Sequence, residues 1–195
     1  MVTQPQIDVS PATDEDRAIA TLTMAFSNDP VTRWVLPDAN QYLTFWPRLV
    51  RAFAGAAFET GTVDSIDSYG GVAMWLPPGV ASDEEAMGAL AAEAVPAADQ
   101  DEVFAFMGQM GEFHPTEPHW YLPLIGVDVT KQGCGHGSAL LRHALDRCDK
   151  DGLPAYLEAT SPRSRQLYER HGFEDLGVIQ AGSSPPLWPM LRKTR

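Results

Sequence analysis

The residues best suited to chemistry lie between positions 119 and 173, and the first group is Gln132-Gly133-Cys134-Gly135-His136-Gly137. These alternating glycines follow an apolar run, His119-Trp120-Tyr121-Leu122-Pro123-Leu124-Ile125-Gly126-Val127-Asp128-Val129, and precede an amphipathic segment beginning near Ser138. The pattern reads as strand, tight loop, helix. Glycine lets the backbone turn sharply and approach a ligand with no side chain in between. The first amides of a helix lack partners and carry partial positive charge, so an anion such as a pyrophosphate fits there. The spacing argues against two other phosphate loops. There is no Gly-Lys-Ser/Thr ending, and the alternation misses the Gly-x-Gly-x-x-Gly of dinucleotide binders.

A second group follows at Leu157-Glu158-Ala159-Thr160-Ser161-Pro162-Arg163 and Leu167-Tyr168-Glu169-Arg170-His171-Gly172-Phe173. Ser161, Ser164, Tyr168 and His171 fall three or four apart, on one helical stripe. Gln132, Gly135 and Gly137 read as Gln-x-x-Gly-x-Gly, and Tyr168, Gly172 and Phe173 as Tyr-x-x-x-Gly-Phe. With both motifs in this order, the chain resembles the GNAT superfamily of N-acetyltransferases. Within it the nearest resemblance is to puromycin acetyltransferase and its small-molecule relatives. That resemblance rests on Glu117-Pro118-His119-Trp120-Tyr121-Leu122, Gly126-Val127, Leu157-Glu158, Pro162-Arg163 and Tyr168-Glu169-Arg170, with an earlier Ala25-Phe26, Asp29-Pro30 and Thr32-Arg33. It departs at Val129, where the relatives usually have proline.

The resemblance implies acetyl-CoA as co-substrate. The backbone of Ile125, Gly126 and Val127 would pair with its pantetheine arm like an added strand, and Gln132, Gly133, Cys134, Gly135, His136, Gly137 and Ser138 would hold the pyrophosphate. The side chains of Cys134 and His136 would then point away from the phosphate. Ser161 and Ser164 stand near where the family often has an asparagine that touches CoA. Tyr168 matches the tyrosine that protonates the departing thiolate, a general-acid role. An attacking amine must be neutral, which asks for a base. Glu158, Glu117 and His119 are the candidates, and Glu158 leads because its strand ends at the expected acetyl site. An acidic and aromatic acceptor pocket is expected from Asp29, Tyr42, Trp46, Glu117, His119 and Trp120.

These groups need elements to hold them. Ile7 and Val9 alternate with polar neighbours as a short strand. Thr13 followed by three acids opens a helix through Phe26, which Ser27-Asn28-Asp29-Pro30 breaks. Tyr42, Phe45, Trp46, Leu49, Val50, Phe53 and Ala57 form a helical stripe interrupted by Pro47, which would kink the helix or begin a new one. Thr62-Val63 and Gly71 to Leu76 read as paired strands around a polar turn at Asp64 to Gly70. Ser82-Asp83-Glu84-Glu85 is a capping box for a helix through Leu90, and Asp99 to Met110 is another helix. After the glycine loop, Leu140, Leu141, Ala144, Leu145 and Cys148 line one helix face, and Gly152 ends it. Ala155 to Leu157 is a short strand, Ser161-Pro162 starts the next helix, and Glu174 to Ile179 and Leu187 to Arg192 close the sheet. The order gives an α/β fold. The GNAT resemblance adds a mixed, mostly antiparallel sheet flanked by helices and splayed between strands near 119–129 and 155–159.

Composition bounds the rest. The 195 residues suit one domain, 1–195, and 44% hydrophobic with 21% charged residues suits a soluble one. No apolar run is long enough to span a bilayer, and the first ten residues lack the features of a signal peptide, so a cytoplasmic location is expected. A net charge of −12 disfavours nucleic acid and favours a cationic partner such as an amine. The two cysteines, Cys134 and Cys148, are expected to be unpaired, and no Cys/His spacing suggests a metal. The expected function is acetyl transfer from acetyl-CoA to the primary amine of a small molecule. A protein or peptide acceptor is the alternative, as is a non-catalytic acetyl-CoA sensor, although a sensor has no need of Tyr168. A homodimer stays open.

Overall fold

A computed structural model describes residues 8–195, so Ile7 lies outside it. In chain order the elements are β1 (Val9–Pro11), α1 (Glu15–Ala25), α2 (Pro30–Val35), α3 (Ala39–Ala54), α4 (Ala56–Glu59), β2 (Val63–Ile66), β3 (Gly71–Leu76), α5 (Glu84–Ala94) and α6 (Gln100–Phe113). Then come β4 (Trp120–Val127), a short 3-10 turn at Val129–Lys131, α7 (His136–Asp151), β5 (Ala155–Ala159), α8 (Pro162–Arg170), β6 (Glu174–Asp175) and β7 (Trp188–Arg192). The strands form one sheet in the order β1-β2-β3-β4-β5-β7-β6. Every pairing is antiparallel except β4 with β5, which is parallel and therefore needs a crossover, supplied by α7.

The two faces of the sheet carry separate cores. On one face Ile19 and Leu22 of α1 and Tyr42, Trp46 and Val50 of α3 pack on Val72, Met74 and Leu76. On the other, Leu140, Leu141, Ala144 and Cys148 of α7 pack on Ala73, Trp75 and Leu157. Cys148 is buried and Cys134 exposed, both as free thiols.

Several local readings of the sequence shift. The helix caps fall on aspartates: Asp14 accepts from the amide of Arg17 at 3.1 Å and Asp83 from that of Ala86 at 2.9 Å. Thr13 is outside α1, and Ser82 donates instead to the carbonyl of Phe53 at 2.7 Å. Asp29-Pro30 begins α2 as well as ending the segment before it, with Asp29 Oδ1 accepting from the Thr32 amide at 2.9 Å and Pro30 in the first turn. Pro47 begins no new helix: α3 runs from Ala39 to Ala54 through it, and the carbonyl left without an amide partner belongs to Leu43, an exposed residue. Asp64 and Ser65 are buried in β2, where Asp64 faces Arg147 and His143 of α7. The turn after them is Asp67-Ser68-Tyr69, all at positive φ. It is pinned by Tyr69 Oη, which accepts from the amides of Thr13 and Asp14, and by Asp67, which meets Lys131 Nζ at 2.6 Å. The closing strand at 174–179 is regular only over Glu174–Asp175, with one further bridge from Ile179 to Leu187.

Candidate active site

The parallel pair β4/β5 holds together only from Trp120↔Ala155 to Leu122↔Leu157. Beyond that point the two strands part, and β4 continues along β3 alone as far as Val127. Pairing with β3 slips between Leu76↔Tyr121 and Met74↔Leu124, so β4 carries one extra residue at Leu122-Pro123. Proline suits this place because it has no amide to offer a ladder. The faces follow the slip: Tyr121 and Leu124 lie in the α1/α3 core, whereas Trp120, Leu122 and Ile125 lie against α7. The gap between the strands opens into a cleft of about 630 Å³.

At one end of the cleft is the glycine loop. Gly133 and Gly135 have φ of +79° and +90°, conformations costly for other residues, and Gly135 is the N-cap of α7. No side chain caps this helix, so the amides of His136, Gly137 and Ser138 face the cleft without a helical partner. Lys131, Arg163 and Arg170 line the same cleft, local cations in a protein of net charge −12. Gln132 works through its side chain: Nε2 donates to Val127 O at 3.2 Å, and Oε1 accepts from Arg163 at 2.9 Å. Cys134 is exposed and outside the cleft lining. The His136 ring is buried, its Nε2 3.4 Å from Asp67 Oδ2. Free amides, local cations and an unpaired strand edge at Ile125, Gly126 and Val127 suit a pyrophosphate joined to an extended amide-bearing arm.

Helix α8 forms the far wall. Ser161 and Ser164 cap each other's backbone, at 3.2 Å in both directions, and both line the cleft. One helical turn on, Tyr168 also lines it, with its ring buried against Phe173. Burial, with the carboxyls of Asp29 and Glu158 adding to it, raises its phenol well above the ordinary value and keeps it a proton donor. Asp29 reaches across from α2 to accept from the Thr160 hydroxyl, and burial raises its pKa.

Glu158 stands where the strands part. Its Oε2 accepts from Tyr121 Oη at 2.9 Å, and its Oε1 is buried with no partner. Burial pushes its pKa up to about 7, against the opposing pull of Tyr121 and Tyr156. Behind it His114 packs edge-on against Tyr121 and Tyr156 and meets His119 Nε2 at 3.0 Å. Burial, with help from His119, holds His114 down to about 4.

Glu158 and Thr160 also line a second, smaller cavity of about 150 Å³ on the α1/α3 side. Its walls come from α2, α3, α5 and α6 and are almost wholly apolar. The expected acidic and aromatic pocket is therefore not what the fold assembles. Of its residues only Trp46 lines this cavity, and Asp29 lines the larger cleft. Tyr42 is a core residue whose hydroxyl donates to Thr23 O. Trp120 lies on the opposite face, donating to Asp151 at 2.9 Å beneath the Arg147 guanidinium. Glu117 is exposed on the turn before β4, and its backbone carbonyl, not its carboxylate, meets His119. Neither Glu117 nor His119 lines either cavity. Sequence reasoning missed Thr160, Lys131 and Pro123 as site residues; the proline inside a predicted strand was the available signal for a bulge.

A sequence model described as the acetyltransferase (GNAT) family matches residues 46–173. The chain belongs to the GNAT family. It is 24% identical over 205 residues to an uncharacterized N-acetyltransferase of Schizosaccharomyces pombe, covering 93% of this chain and 81% of that one. A solved structure from Corynebacterium glutamicum, described as histone acetyltransferase HPA2 and related acetyltransferase, superposes with a TM-score of 0.70 at 29% identity over 97% of both chains. Drosophila melanogaster polyamine N-acetyltransferase shares the fold, with a TM-score of 0.63 at 14% identity, covering 96% of this chain and 100% of that one.

The protein is thus a GNAT N-acetyltransferase, of a family whose co-substrate is acetyl-CoA. Among the described residues no helix is long and apolar enough to cross a membrane, and no group of three or more His, Cys, Asp or Glu is arranged to hold a metal.

Proposed function

We propose that this GNAT enzyme acetylates the primary amine of a small molecule by direct attack on acetyl-CoA, with Glu158 as base and Tyr168 as acid. The observation that carries the reading is Glu158, which lines both the larger cleft and the apolar cavity with Oε1 unpartnered. The amides of His136, Gly137 and Ser138, with Arg163 and Arg170, would hold the pyrophosphate, and the free edge of β4 would align the arm. Ionised Glu158 takes a proton from the acceptor ammonium and frees the nitrogen lone pair. As the C–N bond forms and the C–S bond breaks, Tyr168 supplies a proton to the leaving sulfur, and the proton that the new amide nitrogen sheds restores the phenol. A pKa about 7 suits a base that must be ionised yet able to hold a proton at neutral pH.

The likeness to puromycin acetyltransferase also favours a small acceptor. The name of the Corynebacterium glutamicum relative favours a protein acceptor instead, but the second cavity, about 150 Å³ with almost wholly apolar walls, suits a small body better than a polar peptide. Thiol release from acetyl-CoA, measured with a panel of small amines and with lysine-bearing peptides, decides between them. Turnover with peptides alone would overturn the small-molecule reading.

A further inference from the structure

The apolar cavity has a composition that selects among amines. Val35, Leu49, Phe53, Val103, Met107 and Met110 are representative of its walls, and among the described residues Glu158 is the one ionisable side chain that lines it. The hydroxyl of its neighbour Thr160 is already given to Asp29. Among the described residues no Lys, Arg or His lines the space, so a substrate carboxylate placed there would be unpaired and repelled by Glu158. A second ammonium on the same substrate would enter a wall with no acceptor for it. One acid at the mouth and hydrocarbon behind it describe a molecule with one charged end.

We infer that the acceptor is a monoamine with an apolar body about the size of a phenyl ring, its nitrogen at Glu158 and its body between α3, α5 and α6. This rests on the proposed function and deepens it. The cavity of about 150 Å³ matches the size of apolar cavities that take up benzene. Half-buried Met87, Met107 and Met110 give walls that adapt, so aromatic and branched aliphatic bodies both fit. Glu158 Oε1, buried and unpartnered, is the hydrogen-bond acceptor that such an amine would satisfy.

The test compares kcat/KM, with saturating acetyl-CoA, for 2-phenylethylamine and hexylamine against ethylamine, 1,4-diaminobutane, spermidine, lysine and a lysine-bearing peptide. The two lipophilic monoamines should lead every polar acceptor by about tenfold or more, since each buried methylene contributes a factor of that order. Met107→Glu should lower turnover of 2-phenylethylamine about tenfold and raise that of 1,4-diaminobutane. If that variant does not fold, the wild-type panel still decides. Preference for spermidine or lysine would overturn the inference and leave the proposed small-molecule activity standing. Preference for the peptide, or acetyl-CoA binding with no amine accepted, would overturn both.

Discussion

Tyr121, still paired with Tyr156, reaches forward to Glu158, the first residue past the last pair that β4 and β5 make, phenol to carboxylate at 2.9 Å. The bond fixes Oε2 and leaves Oε1 buried without a partner. Burial, with Glu158 beside it, raises the Tyr121 phenol well above its ordinary value, so it stays a donor throughout the working range. The result is a carboxyl held in one orientation and desolvated enough to titrate near neutrality.

The first expectation concerns pH. If Glu158 is the base, kcat/KM should rise with pH through about 7 as the carboxyl ionises. Glu158→Gln should abolish that limb and lower turnover about a hundred- to ten-thousand-fold. Stability should move the other way. A carboxyl whose folded pKa is raised loses stability as pH climbs from its ordinary 4.5 to about 7. Glu158→Gln should therefore stabilise the protein by up to about 3 kcal/mol above neutrality, with a smaller gain near pH 5. Equal gains at both pH values in thermal melts would contradict the buried, ionising carboxylate.

Tyr168→Phe separates acid from packing residue. The phenyl ring keeps the contact with Phe173, so stability should change little. Acetyl-CoA affinity should persist, and turnover should fall about a hundred- to ten-thousand-fold. A Tyr168→Phe enzyme that turned over normally while melting lower would make the tyrosine structural only.

Gly135→Val tests the pyrophosphate loop. Nothing lies within 4 Å of an added Cβ, so the cost comes from φ of +90°, which a β-branched residue resists. Acetyl-CoA should stop raising the melting temperature, because the amides of α7 lose their arrangement. A folded variant with an undiminished shift would move the anion site elsewhere.

Gly126→Ala should act on packing rather than on ligand contact. An added Cβ would lie 2.7 Å from that of Ala25 and 3.0 Å from Leu22 Cδ2, so α1 must back away. A loss of about 1–3 kcal/mol is expected in denaturant unfolding. An unchanged midpoint would mean α1 has slack there.

Arg163→Ala should raise KM for acetyl-CoA and leave kcat near its wild-type value. The side chain lines the cleft and is held by Gln132, remote from Glu158 in the chemistry proposed. An unchanged KM would remove it from the anion site.

What the sequence made legible was local. The glycine loop, the Ser161-Pro162 helix start and the stop at Gly152 follow from backbone rules that act within a few residues. The second helix near Asp29 was hidden because Asp-Pro can end one helix and cap the next with the same atoms. Asp64 looked like a turn residue, since nothing nearby in the chain announces that Arg147 and His143 will meet it. An acidic and aromatic pocket did not follow from the net charge, because net charge does not say where the acids sit. Here most stay away from the cavity, and the walls come from helices whose apolar residues look like ordinary core.

The extra residue at Leu122-Pro123 makes β4 behave like a reading frame. Upstream of it Tyr121 faces one layer; downstream, Leu124 and Gly126 face that same layer, which plain alternation would forbid. Deleting Pro123 would remove the extra residue and restore plain alternation, with Tyr121, Leu124 and Gly126 still on one layer and Ile125 on the other. Deleting a residue inside the regular run from Leu124 to Val127 would be a frameshift in faces for every residue after it. The first deletion should therefore be tolerated where the second is not.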